Sequence, residues 1–155
     1  MNYIGINKFG KLFLHQGATD IGQGSNTVIT QICADALGVS IEKFFLIGPD
    51  THLTPDCGKT SASRQTYITG KAAELAGKSL RNKILRLSNM GPEANINFIN
   101  DTIVIEQTNK THVLKLSEMN ENQDKYVLSS LETYDPPTIP LDENGQGKPY
   151  AVYGY

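Results

Sequence analysis

The sequence predicts an α+β fold, with a mixed, mostly antiparallel sheet packed against two main helices. Two runs, from Val28 to Leu37 and from Ile68 to Leu87, carry apolar residues at helical spacing. Shorter runs between glycine-, proline- and asparagine-rich turns alternate as strands do. The order that results is hairpin, helix, strand, helix, hairpin, strand, which segregates helices from strand pairs as α+β folds do. At 155 residues the chain is read as a single domain spanning 1–155.

Asn2–Gln16 reads as a β-hairpin: Tyr3, Ile4 and Ile6 lead into Asn7-Lys8-Phe9-Gly10, and Leu12-Phe13-Leu14 return. Gly17–Gly24 is a loop. Ser25 is the expected N-cap of the first helix, whose stripe is Val28, Ile29, Ile32, Cys33, Ala36 and Leu37, and Gly38 stands at its C-cap. Lys43–Ile47 is a short strand, and Gly48–Gly58 a turn-rich connection. Thr60 or Ser61 is expected to cap the long second helix, with Ile68, Ala72, Leu75, Ala76, Leu80, Ile84 and Leu87 on one face. Arg81, Lys83 and Arg86 near its end read as a solvated basic face. Gly91-Pro92 stops the helix. Ile103–Gln107 and His112–Leu116 form a second hairpin around Thr108–Thr111, Tyr126–Thr133 a further strand, and Tyr150–Tyr155 the start of another.

Composition excludes several functions. A net charge of −2 supplies no field that would gather nucleic acid or an anionic membrane. No apolar run approaches the length of a bilayer span, and MNYIGINKFG has no export-signal pattern, so a cytoplasmic location is expected. Cys33 and Cys57 lack C-x-x-C spacing and read as reduced thiols. His15, His52 and His112 are scattered, so no metal ligand set is expected. Asp50, Asp56 and Glu42 read as turn and cap carboxylates, no serine occupies a G-x-S-x-G elbow, and no catalytic residue is assigned.

The chemistry concentrates between Gly17 and Gly70. Asp20–Ser25 and Lys59–Ser63 each run into a helix, whose first N–H groups lack intrahelical partners and favour anions. Gly17 and Gly22 have P-loop spacing, but Gln23 stands where the phosphate-binding lysine belongs. The dinucleotide fingerprint also fails, because Thr27 replaces its third glycine. Gly22 and Gly24 still permit close backbone approach, and Gln23 brings a donor and an acceptor. Thr60, Ser61, Ala62, Ser63, Arg64 and Gln65 combine hydroxyls, small side chains and a guanidinium able to grip a pyrophosphate bidentately. Each loop, taken alone, also reads as an ordinary turn or cap without a ligand.

These same residues resemble the molybdenum-binding subunit of the xanthine dehydrogenase / aldehyde oxidoreductase family of molybdenum hydroxylases. GATDIGQGSNTVITQICADALG is similar to the family's G-x-x-(E/D)-x-GQG segment with its helix, and PDTHLTPDCGKTSASRQTYITG to D-T-x-x-x-P-x-x-G-x-(T/S)-x-A-S-R. GQGKPYAVYG is similar to a late G-Q-G-x-P-Y stretch. The resemblance implies a molybdopterin cofactor carrying molybdenum, in bacteria usually as the cytosine dinucleotide. Its pterin and pyrophosphate would contact Gly22, Gln23 and Gly24, and Thr60, Ser61, Ala62, Ser63, Arg64 and Gln65. It implies hydroxylation of purines, N-heterocycles or aldehydes with oxygen from water. The implied partners are the remainder of the molybdenum subunit and iron–sulfur and FAD subunits or domains.

The family's catalytic glutamate sits in a G-x-G-E motif, and this sequence contains none. The expectation is therefore a partial cofactor-binding domain, excised or encoded as a split gene product, inactive alone and prone to self-association through unpaired sheet edges. Two other readings stay open: a stand-alone non-catalytic binding or assembly module, and a nucleotide-binding regulator using the same anion sites.

Overall fold

The computed structural model describes residues 1–148, the side chains of Ala62 and Ser63 aside. The strand expected at Tyr150–Tyr155 lies outside the described residues. The expected α+β class holds: two long helices accompany antiparallel and mixed pairing. The strands, however, divide into two sheets rather than one.

The first sheet is ordered Phe44–Ile47, Leu12–Gln16, Asn2–Ile6, Leu128–Glu132. Strands β1 (Asn2–Ile6) and β2 (Leu12–Gln16) form the N-terminal hairpin, and β7 (Leu128–Glu132) pairs antiparallel with β1. Strand β3 (Phe44–Ile47) runs parallel to β2, with Leu12 opposite Phe44 and His15 opposite Ile47. Parallel neighbours need a long crossover, and helix α1 (Ser25–Leu37) supplies it. The second sheet is the antiparallel meander β4 (Asn95–Ile99), β5 (Thr102–Gln107) and β6 (Lys110–Lys115).

Helix α2 (Ala62–Leu87) links the layers. It buries Ile68, Ala72, Ala73, Ala76, Leu80, Ile84 and Leu85, whereas Leu87, expected on this stripe, is exposed. One cluster joins Ile4, Ile6, Leu12 and Leu14 of the first sheet to Ile29, Cys33 and Leu37 of α1. It continues through Leu80 and Ile84 to Ile96, Phe98, Ile103 and Ile105 of the second sheet. Each large side chain so buried contributes about 1.5–3 kcal/mol. The two helices pack closely at Gly77, where a Cβ would stand 2.6 Å from the Cys33 carbonyl. Any side chain there would push the helices apart.

Three further expectations are corrected, and one strand is added. Gly24, not Ser25, is the N-cap of α1; it adopts φ 73° and makes no side-chain cap. Strand β4 was not expected, because its outward positions are the poor strand formers Asn95 and Asn97. Its inward Ile96 and Phe98 do alternate, and that was its signal. Lys43 closes a short 3-10 turn instead of starting β3. Arg81 is not solvated: its guanidinium donates to the carbonyls of Leu37 at 2.9 Å, Pro92 at 3.1 Å and Ala94 at 2.6 Å. It thereby closes the C-terminus of α1 and pins the segment entering β4.

Candidate functional site

The first candidate loop leaves β2 at Gln16. The buried Gln16 carboxamide accepts from Ala18 N at 2.9 Å and donates to Asn26 Oδ1 at 2.8 Å, tying the strand end to the first turn of α1. Asp20 then turns back on the helix it precedes. Its carboxylate accepts from Gly22 N at 2.9 Å and from Gly24 N and Asn26 N at 3.3 Å. These N–H groups, Gly22 foremost and then Asn26, hold its carboxyl below the usual range. The anion expected at this helix N-terminus is therefore the chain's own.

Gln23 is also engaged locally. Its Oε1 accepts from Ile21 N at 2.6 Å and its Nε2 donates to Thr19 O at 3.2 Å. A methyl group built at Gly22 or Gly24 would touch nothing within 4 Å, so the space beside their backbone is open. The hydroxyl of Ser25 is buried without a hydrogen-bond partner.

The second loop is a chain of side-chain-directed turns. Asp50 accepts from His52 N and Leu53 N, and Asp56 from Gly58 N, as the turn reading of these carboxylates expects. The Lys59 carbonyl accepts from Arg64 Nη1 and from Gln65 Nε2, each at 2.9 Å. Gln65 is fully buried, and its Oε1 accepts from the Thr69 hydroxyl. Its carboxamide thus shapes the loop from inside. Arg64 lies over Gly58, and among the described residues no carboxylate pairs with it. Most of its donors remain available at the first turn of α2. Ser61 is the N-cap of α2 in extended conformation, with no side-chain cap.

The two loops touch. Thr19 N donates to Thr60 Oγ1 at 3.1 Å, and Gly17 N to Cys57 Sγ at 3.1 Å. A Cβ at Gly17 would stand 2.6 Å from the Pro55 carbonyl, so the approach needs glycine. A cleft of about 440 Å³ beside this contact is lined by Gly17, Asp50, Asp56, Cys57 and Gly58. Its carboxylates would repel a phosphate, which leaves the Arg64 side as the place for one. Among the described residues no cluster of three His, Cys, Asp or Glu side chains could hold a metal ion. An anionic cofactor fits Arg64, which has no carboxylate partner among the described residues, and the open space beside Gly22 and Gly24; the Asp20-filled amides are closed to it.

Sequence reasoning missed the closure by Asp20, the Gly17–Cys57 contact and the role of Arg81. The spacing Asp20-x-Gly22 is an Asx-turn signature and could have revealed the first.

The family model for the molybdopterin cofactor-binding domain matches residues 2–155. The chain belongs to that family. Over 81 residues, 52% of its length, it is 37% identical to the xanthine dehydrogenase molybdenum-binding subunit of Escherichia coli O157:H7. Over 89 residues, 57% of its length, it is 33% identical to the gamma subunit of the 6-hydroxypseudooxynicotine dehydrogenase complex of Paenarthrobacter nicotinovorans. Each of these matches covers 11% of the relative's own length. The crystal structure of the aldehyde oxidoreductase from Desulfovibrio desulfuricans superposes with a TM-score of 0.63. That match covers 96% of this chain and 14% of the other, at 20% identity, and is a likeness of fold. The family match and these similarities bear out the resemblance to the molybdenum-binding subunit of the xanthine dehydrogenase / aldehyde oxidoreductase family. No helix among the described residues is long and apolar enough to cross a membrane.

Proposed function

We propose that this molybdopterin cofactor-binding domain supplies one wall of the cofactor cleft of a xanthine dehydrogenase/aldehyde oxidoreductase-like enzyme. The observation that carries the reading is Arg64, a guanidinium without a carboxylate partner among the described residues, at a helix start tied to the glycine loop through Thr60. Arg64, with the hydroxyls of Thr60, Ser61 and Ser63 and the small Ala62, holds the pyrophosphate of a molybdopterin cytosine dinucleotide. Gly22, Gln23 and Gly24 line the pterin end, where the glycines leave open space beside the backbone and Gln23 keeps its second amide hydrogen. Gln65 acts through the Lys59 carbonyl, holding the loop in shape. When bound, the cofactor supplies the oxidation–reduction chemistry by which purines, N-heterocycles or aldehydes are hydroxylated.

Residues 1–155 act in this reading as one domain of a larger cytoplasmic subunit. The remainder of the molybdenum subunit closes the cleft and brings the glutamate base, and iron–sulfur and FAD components accept the electrons. The isolated chain has an open half-site, which gains too few contacts to offset immobilising a large anion. It self-associates through its sheet edges rather than turning over substrate.

The test is Arg64→Ala in the complete subunit. Loss of a charge-assisted contact of about 1.5–3 kcal/mol lowers molybdenum and pterin content of the purified protein by tenfold or more. Arg64→Lys restores only part, because lysine cannot bind bidentately. Unchanged cofactor content in Arg64→Ala would remove the assignment. Substrate-dependent dye reduction by the isolated chain plus cofactor would remove the half-site reading.

A further inference from the structure

Beyond the two loops lies a buried histidine that the cofactor reading does not use. His15 is 6% exposed at the end of β2, with its ring against Tyr3 and Tyr126 at centroid distances of 5.3 and 5.7 Å. Its Nδ1 lies 2.7 Å from the Leu53 carbonyl and its Nε2 2.6 Å from the Tyr126 hydroxyl. A carbonyl only accepts, so Nδ1 carries a proton; in the neutral ring Nε2 then accepts from Tyr126.

The contact with Leu53 belongs to a series. Beyond His15 the ladder between β2 and β3 ends, His15 being opposite Ile47. From there alternate residues of the emerging chain reach the second loop in order. His15 holds Leu53 O, Gly17 N holds Cys57 Sγ, and Thr19 N holds Thr60 Oγ1. Side chains replace the backbone ladder and keep its period of two. The turn that His15 grips is rigid in itself, since Asp50 accepts from His52 N, Leu53 N and Thr54 N. Six residues beyond Leu53 the same loop reaches the Lys59 carbonyl that accepts from Arg64.

We propose that His15 is a positioning residue for the phosphate-binding turn, setting the place of Lys59 and Arg64 through the Leu53 carbonyl. The inference rests on the assignment of that turn to phosphate binding. The chain need not bind a ligand for the first arm of its test.

Trypsin cleaves after the exposed Lys59, and the native-state rate reports how often the loop opens. His15→Phe keeps the ring and removes both hydrogen bonds. In the chain by itself it is expected to raise the cleavage rate about tenfold, and in the complete subunit stripped of cofactor to weaken binding of inorganic pyrophosphate, by calorimetry, about fivefold. An asparagine amide reproduces the Nδ1 donor and a glutamine amide the Nε2 position. His15→Asn is therefore expected to restore both readings to within about twofold of the wild type, and His15→Gln to restore neither. Tyr126→Phe, which removes the Nε2 partner alone, leaves the cleavage rate unchanged. If His15→Phe fails to fold, the Asn–Gln pair and Tyr126→Phe carry the test. Cleavage of His15→Phe at the wild-type rate, or equal rescue by Asn and Gln, overturns the proposal. A complete wild-type subunit, stripped of cofactor, that binds no pyrophosphate while the 155-residue chain shows the expected cleavage pattern would sink the phosphate assignment and leave His15 as the loop's anchor.

Discussion

Asp20–Ser25 and Lys59–Gln65 look alike in sequence, each a small-residue turn entering a helix, but they end in opposite electrostatic states. In the first, the Asp20 carboxylate takes the N–H groups of Gly22, Gly24 and Asn26. In the second, no carboxylate among the described residues pairs with Arg64, which has its one described hydrogen bond to a carbonyl. A helix N-terminus is thus an anion site only if the chain has not already filled it. The first loop is a finished structural element with an exposed glycine backbone; the second is charged and unfinished. The pair suits a ligand that is anionic at one end and not at the other.

The largest expected disruption of this pairing is Gly17→Val. With a Cβ position 2.6 Å from the Pro55 carbonyl, the substitution forces the loops apart. It is expected to cost about 2–3 kcal/mol by urea unfolding. A neutral result would mean that the loops move independently.

Asp20→Ala sharpens the contrast from the other side. It frees the helix amides, so the melting temperature falls by a few degrees. Affinity for inorganic pyrophosphate at the first loop rises about threefold. Lower or unchanged affinity would show that these amides are no anion site even when vacant. The same carboxylate sets an acid dependence. Its folded value is depressed by its backbone donors. Its stabilisation is therefore complete above the unfolded value of about 3.9 and is lost as pH falls through the lower folded value. Wild-type melting curves should lose stability over that window more steeply than those of Asp20→Asn.

The smallest effect is expected for Thr60→Val, which removes the acceptor for Thr19 N. A loss of about 1 kcal/mol in chemical unfolding fits one partly exposed hydrogen bond. A double substitution with Gly17→Val should then be less than additive, since both break one contact surface.

Much of this molecule was legible in the chain itself. Local periodicity and turn chemistry act over a few residues, so the two helices, the N-terminal hairpin and the turns at Asp50 and Asp56 follow from the sequence alone. The positions of both candidate loops follow in the same way. Strand β4 did not, because Asn95 and Asn97 oppose a strand locally and only pairing with β5 overrides them. The division into two sheets and the capping of α1 by Arg81, 44 residues away, were likewise tertiary outcomes. So was the run of contacts from His15, Gly17 and Thr19 to the second loop. Whether a helix N-terminus stays open depends on which groups the folded chain brings to it, and propensity carries no such information. Asp20 is the partial exception: it lies within reach of its helix, but whether its carboxylate turns inward or out to solvent was settled by the fold.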